Sequence, residues 1–225
     1  MIINHAAVEN NWFLPEIYNN ATTLILGSFN PFNPNGDNAD YFYGRPQNYF
    51  WKVIGSFLHN DQNFYFNNFQ AKCEVMLEKR FCFYDLIDHI DVTSVDEVAL
   101  NNFVNNKIFS NFPDSTLFTT NTNYQGSNIN IVRTYNQEII NSLNQGNIEN
   151  VIHTLGNNRI NHHFVVNPLE NHLGHNGFQG FFNNILDQNG IINPISFSPS
   201  ARAVHVGGQV YLDNLTQWLI ENLNL

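Results

Sequence analysis

Cysteine is scarce in this chain: only Cys73 and Cys82 occur among its 225 residues. Two cysteines cannot build the disulfide framework that stabilises small secreted domains, and their spacing matches no zinc-binding pattern. We therefore expect both thiols to be reduced and to pack in the core.

Long apolar segments are also missing. No stretch approaches the roughly 18 apolar residues of a membrane-spanning helix, and the first ten residues, MIINHAAVEN, lack the basic start and apolar block of a signal peptide. No Pro/Gly/Ser-rich linker divides the chain, of which 43% is hydrophobic. The sequence predicts one soluble, cytoplasmic domain over residues 1–225, monomeric and without a membrane partner.

Basic residues are few. Nine Lys and Arg stand against nineteen Asp and Glu, which gives a formal net charge of -10, and charged residues make up only 12% of the chain. A negative charge of this size opposes binding to a phosphate backbone unless the basic groups are concentrated on one face. Asparagine is common along the whole chain, so no single asparagine is informative by itself.

Apolar runs and helical patterns alternate along the sequence. The segments with the composition of buried strands are residues 22–29, 81–87, 150–156 and 194–200, with 115–120 as an extra strand. One helical pattern begins at Pro46, and four others cover residues 67–80, 94–109, 134–143 and 211–223. Ser94 and Glu97 fit a capping box at the start of one of these helices.

This alternation predicts an α/β fold with a mostly parallel sheet that helices cover on both faces. In such folds, functional groups lie beyond the carboxyl ends of the strands. Three of the strand-like runs end in polar loops there, and the loop after residues 22–29 carries Asn30.

Four segments occur in an order that is informative as a set: residues 24–31 (LILGSFNP), 41–52 (YFYGRPQNYFWK), 83–87 (FYDLI) and 197–202 (FSPSAR). Together they resemble the uracil-DNA glycosylase superfamily, closest to its mismatch-specific and hypoxanthine-type branches. The resemblance covers about residues 22–205, and the aromatic-Gly-x-Pro-x-Asn-x-Phe-Trp block is its most specific part.

This resemblance implies a three-layer α/β/α sandwich with a short, mostly parallel central sheet. It also implies a hydrolase that cleaves the N-glycosidic bond of a deaminated base, uracil or hypoxanthine, in DNA during base excision repair. DNA containing a damaged base would be the partner, and no metal or cofactor would be required.

The resemblance implies catalytic roles for three residues. Asn30 or Asn48 would orient the water that attacks the anomeric carbon, since the oxocarbenium character of the sugar lowers the need for a strong base. The alternatives are that Asn30 shapes a turn and that Asn48 caps a helix. Ser198 stands where the family often has a histidine, and it would donate a hydrogen bond to the departing base with less electrostatic stabilisation.

A base pocket and DNA-backbone contacts are implied in the same way. Phe32, Phe42 and Tyr43 would stack on an extruded base, unless they fill the core instead. Asp85 would accept a hydrogen bond from an N–H of uracil or hypoxanthine, or it would make a structural hydrogen bond. The residues expected to contact the DNA backbone are Gly27, Ser28, Arg45, Ser200 and Arg202. The two arginines would alternatively pair with surface carboxylates.

Two further hypotheses stay open. One is a catalytically weak superfamily member that binds nucleic acid or a nucleoside without turnover. It is favoured by the net charge of -10 and by Ser198, which stands where the family often has a histidine. An unrelated small-molecule activity on a diverged α/β fold is the third hypothesis. Metal binding is not expected, because no cysteine or carboxylate accompanies the histidines at ligand spacing; these are His162, His163, His172 and His175.

Overall fold

The computed structural model describes residues 1–36, 38–105, 120–155 and 195–225, the strand pair 171–172 and 175–176, and residues 181 and 185. Within these residues the strands are β1 (Ile2–Asn4), β2 (Thr23–Gly27), β3 (Phe81–Asp85), β4 (Ile87–Thr93), β5 (Asn121–Tyr124), β6 (Ser127–Tyr135), β7 (Asn150–His153), β8 (Asn171–His172) and β9 (His175–Asn176). The helices are α1 (Ala6–Glu9), α2 (Pro15–Asn20), α3 (Phe50–His59), α4 (Phe69–Lys79), α5 (Glu97–Asn105), α6 (Gln137–Asn144) and α7 (Ala201–Leu223).

A three-stranded parallel sheet, in the order β3-β2-β7, confirms three of the predicted strands. Every residue of β2 and β3 is buried. A parallel strand covered on both faces needs a nearly continuous apolar sequence, which is why residues 22–29 and 81–87 indicate strands so clearly. Gly27 lies opposite Asp85, and Leu26 lies opposite His153. The carboxyl ends of the three strands therefore meet at one edge.

The second sheet is antiparallel, in the order β1-β4-β6-β5, and the strand-helix alternation did not predict it. Only Leu86, which lies in a bend, separates β3 from β4, so two almost adjacent strands belong to different sheets. The Leu86 N–H donates to the Gly27 carbonyl at 3.0 Å, and the Ile87 N–H donates to the Ser28 carbonyl at 3.1 Å. The α/β class is thus confirmed in its broader form, a mixed α/β fold.

Several predicted boundaries are corrected. The helix expected from Pro46 begins at Phe50, because residues 45–48 form a turn in which the Asn48 N–H donates to the Arg45 carbonyl at 2.9 Å. Asp96, not Ser94, caps α5: its Oδ1 accepts from the backbone N–H of Val98 and of Ala99, both at 3.0 Å.

Three other predicted segments differ from the structure or lie partly outside the described residues. The segment 134–143 divides into the end of β6 and helix α6, and the Asn136 side chain accepts from the Glu138 N–H where α6 begins. Residues 195–200 form no strand, and the Ser196 hydroxyl donates to the His153 carbonyl at the end of β7, at 2.5 Å. Of the predicted strand 115–120, residues 115–119 lie outside the described residues.

Both cysteines are free and buried, as expected for a reduced core role. Burial raises the pKa of Cys73 to about 11 and that of Cys82 to about 12. Around Cys82, the core is rich in aromatic rings: Phe83 is fully buried and stacks on Phe42 with 5.4 Å between ring centroids. Across the described ranges, no helix combines the length and the apolar character needed to cross a bilayer.

Candidate functional site

Polar groups collect at the carboxyl edge of the parallel sheet, where Gly27 has a packing role. A Cβ atom on Gly27 would overlap Asp85 Oδ1 and would lie 2.7 Å from the Tyr43 hydroxyl oxygen. Only a residue without a side chain leaves room for both groups. The glycine that ends the first predicted strand thus allows a carboxylate and a phenol to approach the backbone.

Asp85 is held by His5, a residue that the sequence interpretation missed. His5 Nε2 lies 2.7 Å from Asp85 Oδ2, and the two residues are 3% and 7% exposed. Because the Ala7 N–H donates to His5 Nδ1 at 3.0 Å, the imidazole proton resides on Nε2 in the neutral ring. His5 therefore donates to Asp85 and fixes the orientation of the carboxylate.

The N-terminal segment and the loop after β2 pair with each other and bring His5 into place. The Ala6 N–H donates to the Asn30 carbonyl at 2.7 Å, and the Phe32 N–H donates to the Asn4 carbonyl at 2.9 Å. Between these two bonds, His5 and Pro31 form an antiparallel bridge. The backbone of the Asn30 loop is therefore fixed beside the His5–Asp85 pair.

Tyr43 joins the same cluster in an uncommon backbone conformation, with a φ of +55°. Its hydroxyl lies 2.7 Å from Thr154 Oγ1, which in turn donates to the Leu26 carbonyl at 3.3 Å. Since Thr154 has a single hydroxyl proton, Tyr43 is the donor to it. Burial, together with the negative charge of Asp85, raises the pKa of Tyr43 far above its ordinary value, so this phenol stays protonated.

The three aromatic residues predicted to stack on a base lie in different surroundings. Phe42 is only 1% exposed and packs between Phe83 and the His5 ring. Tyr43 stacks on Phe50, with 5.0 Å between centroids. Phe32 is partly buried against the hydrophobic core.

The two asparagine candidates differ in what their side chains do. Asn48 Oδ1 accepts from the Phe50 N–H at 2.9 Å and so supports the start of α3. Within the described residues, the half-buried Asn30 side chain makes no hydrogen bond. Of the two side-chain oxygens, only that of Asn30 has no hydrogen-bond donor among the described residues.

The Ser-Pro-Ser segment organises the start of α7. Ser200 Oγ accepts from the Ala203 N–H at 3.3 Å, and Ser198 Oγ donates to Ser200 Oγ at 3.1 Å. The Ser198 N–H also donates to the Tyr211 hydroxyl at 2.8 Å. Arg202 is exposed in the first turn of this helix. The two serines therefore contribute to a helix cap.

Nine of the twelve predicted site residues thus form two groups, which leave out Phe32, Arg45 and Arg202. The first surrounds Asp85 and contains Gly27, Ser28, Asn30, Phe42 and Tyr43. The second contains Asn48, Ser198 and Ser200, because the Tyr49 N–H donates to the Pro199 carbonyl at 2.8 Å and joins their loops. Among the described contacts, no hydrogen bond or ion pair links Ser198 to Asp85.

A cavity of about 280 Å³ opens beside the second group. Tyr43, Arg45 and Asn48 contribute to its walls, and α3 and α4 supply Trp51 and Lys72. Neither Asn30 nor Asp85 lines it. The cavity is therefore distinct from the cluster at the strand ends, although the two share Tyr43.

Buried His153, at the end of β7, gives folding a dependence on pH. The residue is 3% exposed, and burial lowers the pKa of its imidazole to about 4. The unfolded chain takes up the proton near pH 6.5, so stability should fall as the pH drops from about 6.5 to 4, by roughly 3 kcal/mol at most. Above about pH 6.5, His153 should cause no loss of stability.

Urea unfolding of the unmodified protein and of His153→Gln across this pH range measures the effect. We expect the pH-dependent loss to shrink in the variant, whatever its stability at pH 7. An equal slope in the two proteins would contradict this assignment.

The side chains that could ligate a metal are dispersed. Within the described part of the chain, no group of three or more His, Cys, Asp and Glu side chains could hold a metal ion. His172 and His175 are opposite each other in the β8–β9 pair, and His162 and His163 lie outside the described residues.

The fold and the first group of residues define a mixed α/β protein with a buried carboxylate-imidazole pair at the carboxyl ends of parallel strands. No family model, curated protein or solved structure matches the chain. Its function must therefore be inferred from its own residues.

Proposed function

We propose that the chain is a DNA glycosylase-like hydrolase that removes a deaminated base, uracil or hypoxanthine, from DNA in base excision repair. The observation that carries the proposal is the position of Asp85, oriented by His5 next to Gly27 and close to the loop that bears Asn30. A three-layer α/β/α arrangement, monomeric state and cytoplasmic location are part of this proposal, as is independence of metal and cofactor.

The chemistry needs a positioned water and stabilisation of opposite charges. Cleavage of a glycosidic bond builds positive charge on the sugar and negative charge on the departing base. The Asn30 amide oxygen would accept a hydrogen bond from the attacking water and direct it to the anomeric carbon. Asp85, with one oxygen held by His5, would accept an N–H from the base or stabilise the developing sugar cation.

Asn30 is the better of the two asparagine candidates on this proposal. The Asn48 oxygen already accepts the Phe50 N–H at the start of α3, whereas the Asn30 amide has no such structural bond within the described residues. Substitution of Asn48 should therefore affect folding of its loop more than the chemical step.

An excision assay tests the proposal. Oligonucleotides containing uracil or hypoxanthine are incubated with the protein, and the abasic product is measured in single-turnover conditions. We expect Asn30→Ala to lower the rate at least about 100-fold, because the substitution removes the group that positions the water. Asn48→Ala is the matched control in the neighbouring loop and should change the rate less than about tenfold. If the protein released neither uracil nor hypoxanthine, the proposal would be contradicted.

Binding without turnover is the second candidate, and the Ser198 contacts favour it. The Ser198 hydroxyl donates to Ser200 within the helix cap, so it is engaged where the family often has a histidine that donates to the base. Binding to lesion DNA across a salt series distinguishes the two functions. A steep salt dependence without abasic product would support nucleic-acid binding without turnover, whereas absence of DNA binding would point to a small nucleoside ligand.

A further inference from the structure

The cavity beside α3 and α4 has a charge that contrasts with the rest of the protein. Three of the nine Lys and Arg residues line it: Arg45, Lys52 and Lys72. No Asp or Glu is among the described residues that form its walls. Since the ion pair with Asp40 neutralises Lys72, the ammonium group of Lys52 is the one that would attract an anion into this cavity on a chain of net charge -10.

Lys72 is the unusual member of this set, since it is fully buried. Its ammonium group pairs with Asp40 and lies 5.7 Å from the centroid of the Trp51 ring. A lysine is almost never buried so completely unless it is paired, and here the lysine lies at the cavity wall while Asp40 does not line the cavity. Lys52 is half-buried, and its ammonium lies 5.0 Å from the Tyr49 ring centroid.

The other walls are aromatic. The polar atoms of two of these rings form hydrogen bonds within the protein. Trp51 Nε1 donates to the Phe42 carbonyl at 2.6 Å, and the Tyr65 hydroxyl is 3.1 Å from His59 Nε2. Phe66 at the rim is 47% exposed and makes no ring contact among the described residues. The Phe66 ring therefore offers a free face to a flat ligand.

We propose that this cavity is a nucleotide-binding site, with the phosphate near Lys52 and the base against Phe66. The volume of about 280 Å³ is at the lower end of ligand cavities, which suits one nucleotide unit rather than a larger cofactor. A free mononucleotide and a nucleotide within a single strand present the same chemistry to the site. The inference does not depend on the proposed glycosylase activity, because the cavity walls include neither Asn30 nor Asp85.

Calorimetric titration with deoxyuridine monophosphate tests the site. We expect saturable binding in the micromolar to millimolar range, and binding of deoxyuridine without phosphate at least about fivefold weaker. Phe66→Ala should weaken binding about tenfold, through loss of stacking. Lys52→Gln should weaken it about five- to tenfold, through loss of one charge-assisted contact.

Matched controls separate the site from general effects. Phe57 is 48% exposed and Lys79 is half-buried like Lys52, and neither lines the cavity. Phe57→Ala and Lys79→Gln should leave the affinity within about twofold. An equal weakening in these controls, or no saturable binding of deoxyuridine monophosphate, would overturn the inference.

A short deoxythymidine oligonucleotide identifies the source of the nucleotide. At least tenfold tighter binding of the strand than of the mononucleotide would assign the site to single-stranded nucleic acid, while similar affinities would assign it to free nucleotides. Either result supports the proposed site, provided that Phe66→Ala weakens the binding. Binding of deoxyuridine monophosphate with no abasic product from lesion DNA would reject the glycosylase proposal alone.

Discussion

Replacing Gly27 with alanine is expected to lower the free energy of unfolding by about 3–5 kcal/mol. The new Cβ would overlap Asp85 Oδ1 and lie 2.7 Å from the Tyr43 hydroxyl. Both groups are buried or partly buried in a packed cluster, so neither can move away without losing a hydrogen bond to His5 or Thr154. Urea unfolding followed by circular dichroism measures the loss.

Gly146→Ala provides the control for this substitution. Gly146 has a φ of +79° and open space where a Cβ would lie, so alanine there should cost only about 1 kcal/mol of backbone strain. A combined Gly27→Ala and Asp85→Ala variant should be less destabilised than the sum of its single variants, because removing the carboxylate removes the worst overlap. Strict additivity would contradict the proposed clash.

Replacing Lys72 with methionine is expected to destabilise the protein by about 3–5 kcal/mol. The substitution leaves the Asp40 carboxylate without its ion-pair partner in a site where Asp40 Oδ1 is already buried with no hydrogen-bond partner among the described residues. Burial lowers the pKa of Lys72, and Asp40 opposes that effect by favouring the charged ammonium. The free energy of unfolding at pH 7 is the measured quantity.

Two further variants show that the charge, and not the loss of packing, causes this effect. Lys72→Met combined with Asp40→Asn removes both charges and should recover at least half of the lost stability. Lys79→Met breaks a pair with the exposed Glu78, which is 3.0 Å away, and should cost less than about 1 kcal/mol. If the double variant were no more stable than Lys72→Met, the charge explanation would be wrong.

The parallel sheet was predictable because burial on both faces imposes a local pattern. β2 and β3 have no exposed residue, so their sequences are almost purely apolar. The antiparallel sheet has a weaker signal. In β6, buried Ile129 and Ile131 alternate with exposed asparagines, a period of two that would have indicated a strand. β1 has only three residues, too few for any period.

The candidate site was predictable only in part, for a similar reason. Gly27 and Asp85 end consecutive strands of a parallel sheet, so topology alone brings them together. His5 comes from a segment 80 residues earlier than Asp85 and reaches it through an antiparallel contact with the Asn30 loop. No pattern around His5 carries that information. The side chains of Asn48 and Ser198 could either cap a helix or contact a ligand. Backbone geometry decides between these roles, and the amino-acid composition does not encode it.

The arrangement of β2 has a consequence for how the chain folds during synthesis. This central strand begins at Thr23, yet Thr23 pairs with Phe81 on one side and with Asn150 on the other. On the ribosome, β2 therefore remains without its second neighbour until more than half of the protein has been made. Such long-range pairing slows folding and leaves a hydrophobic strand edge open to other chains, so the nascent protein has its greatest need of chaperones before β7 emerges.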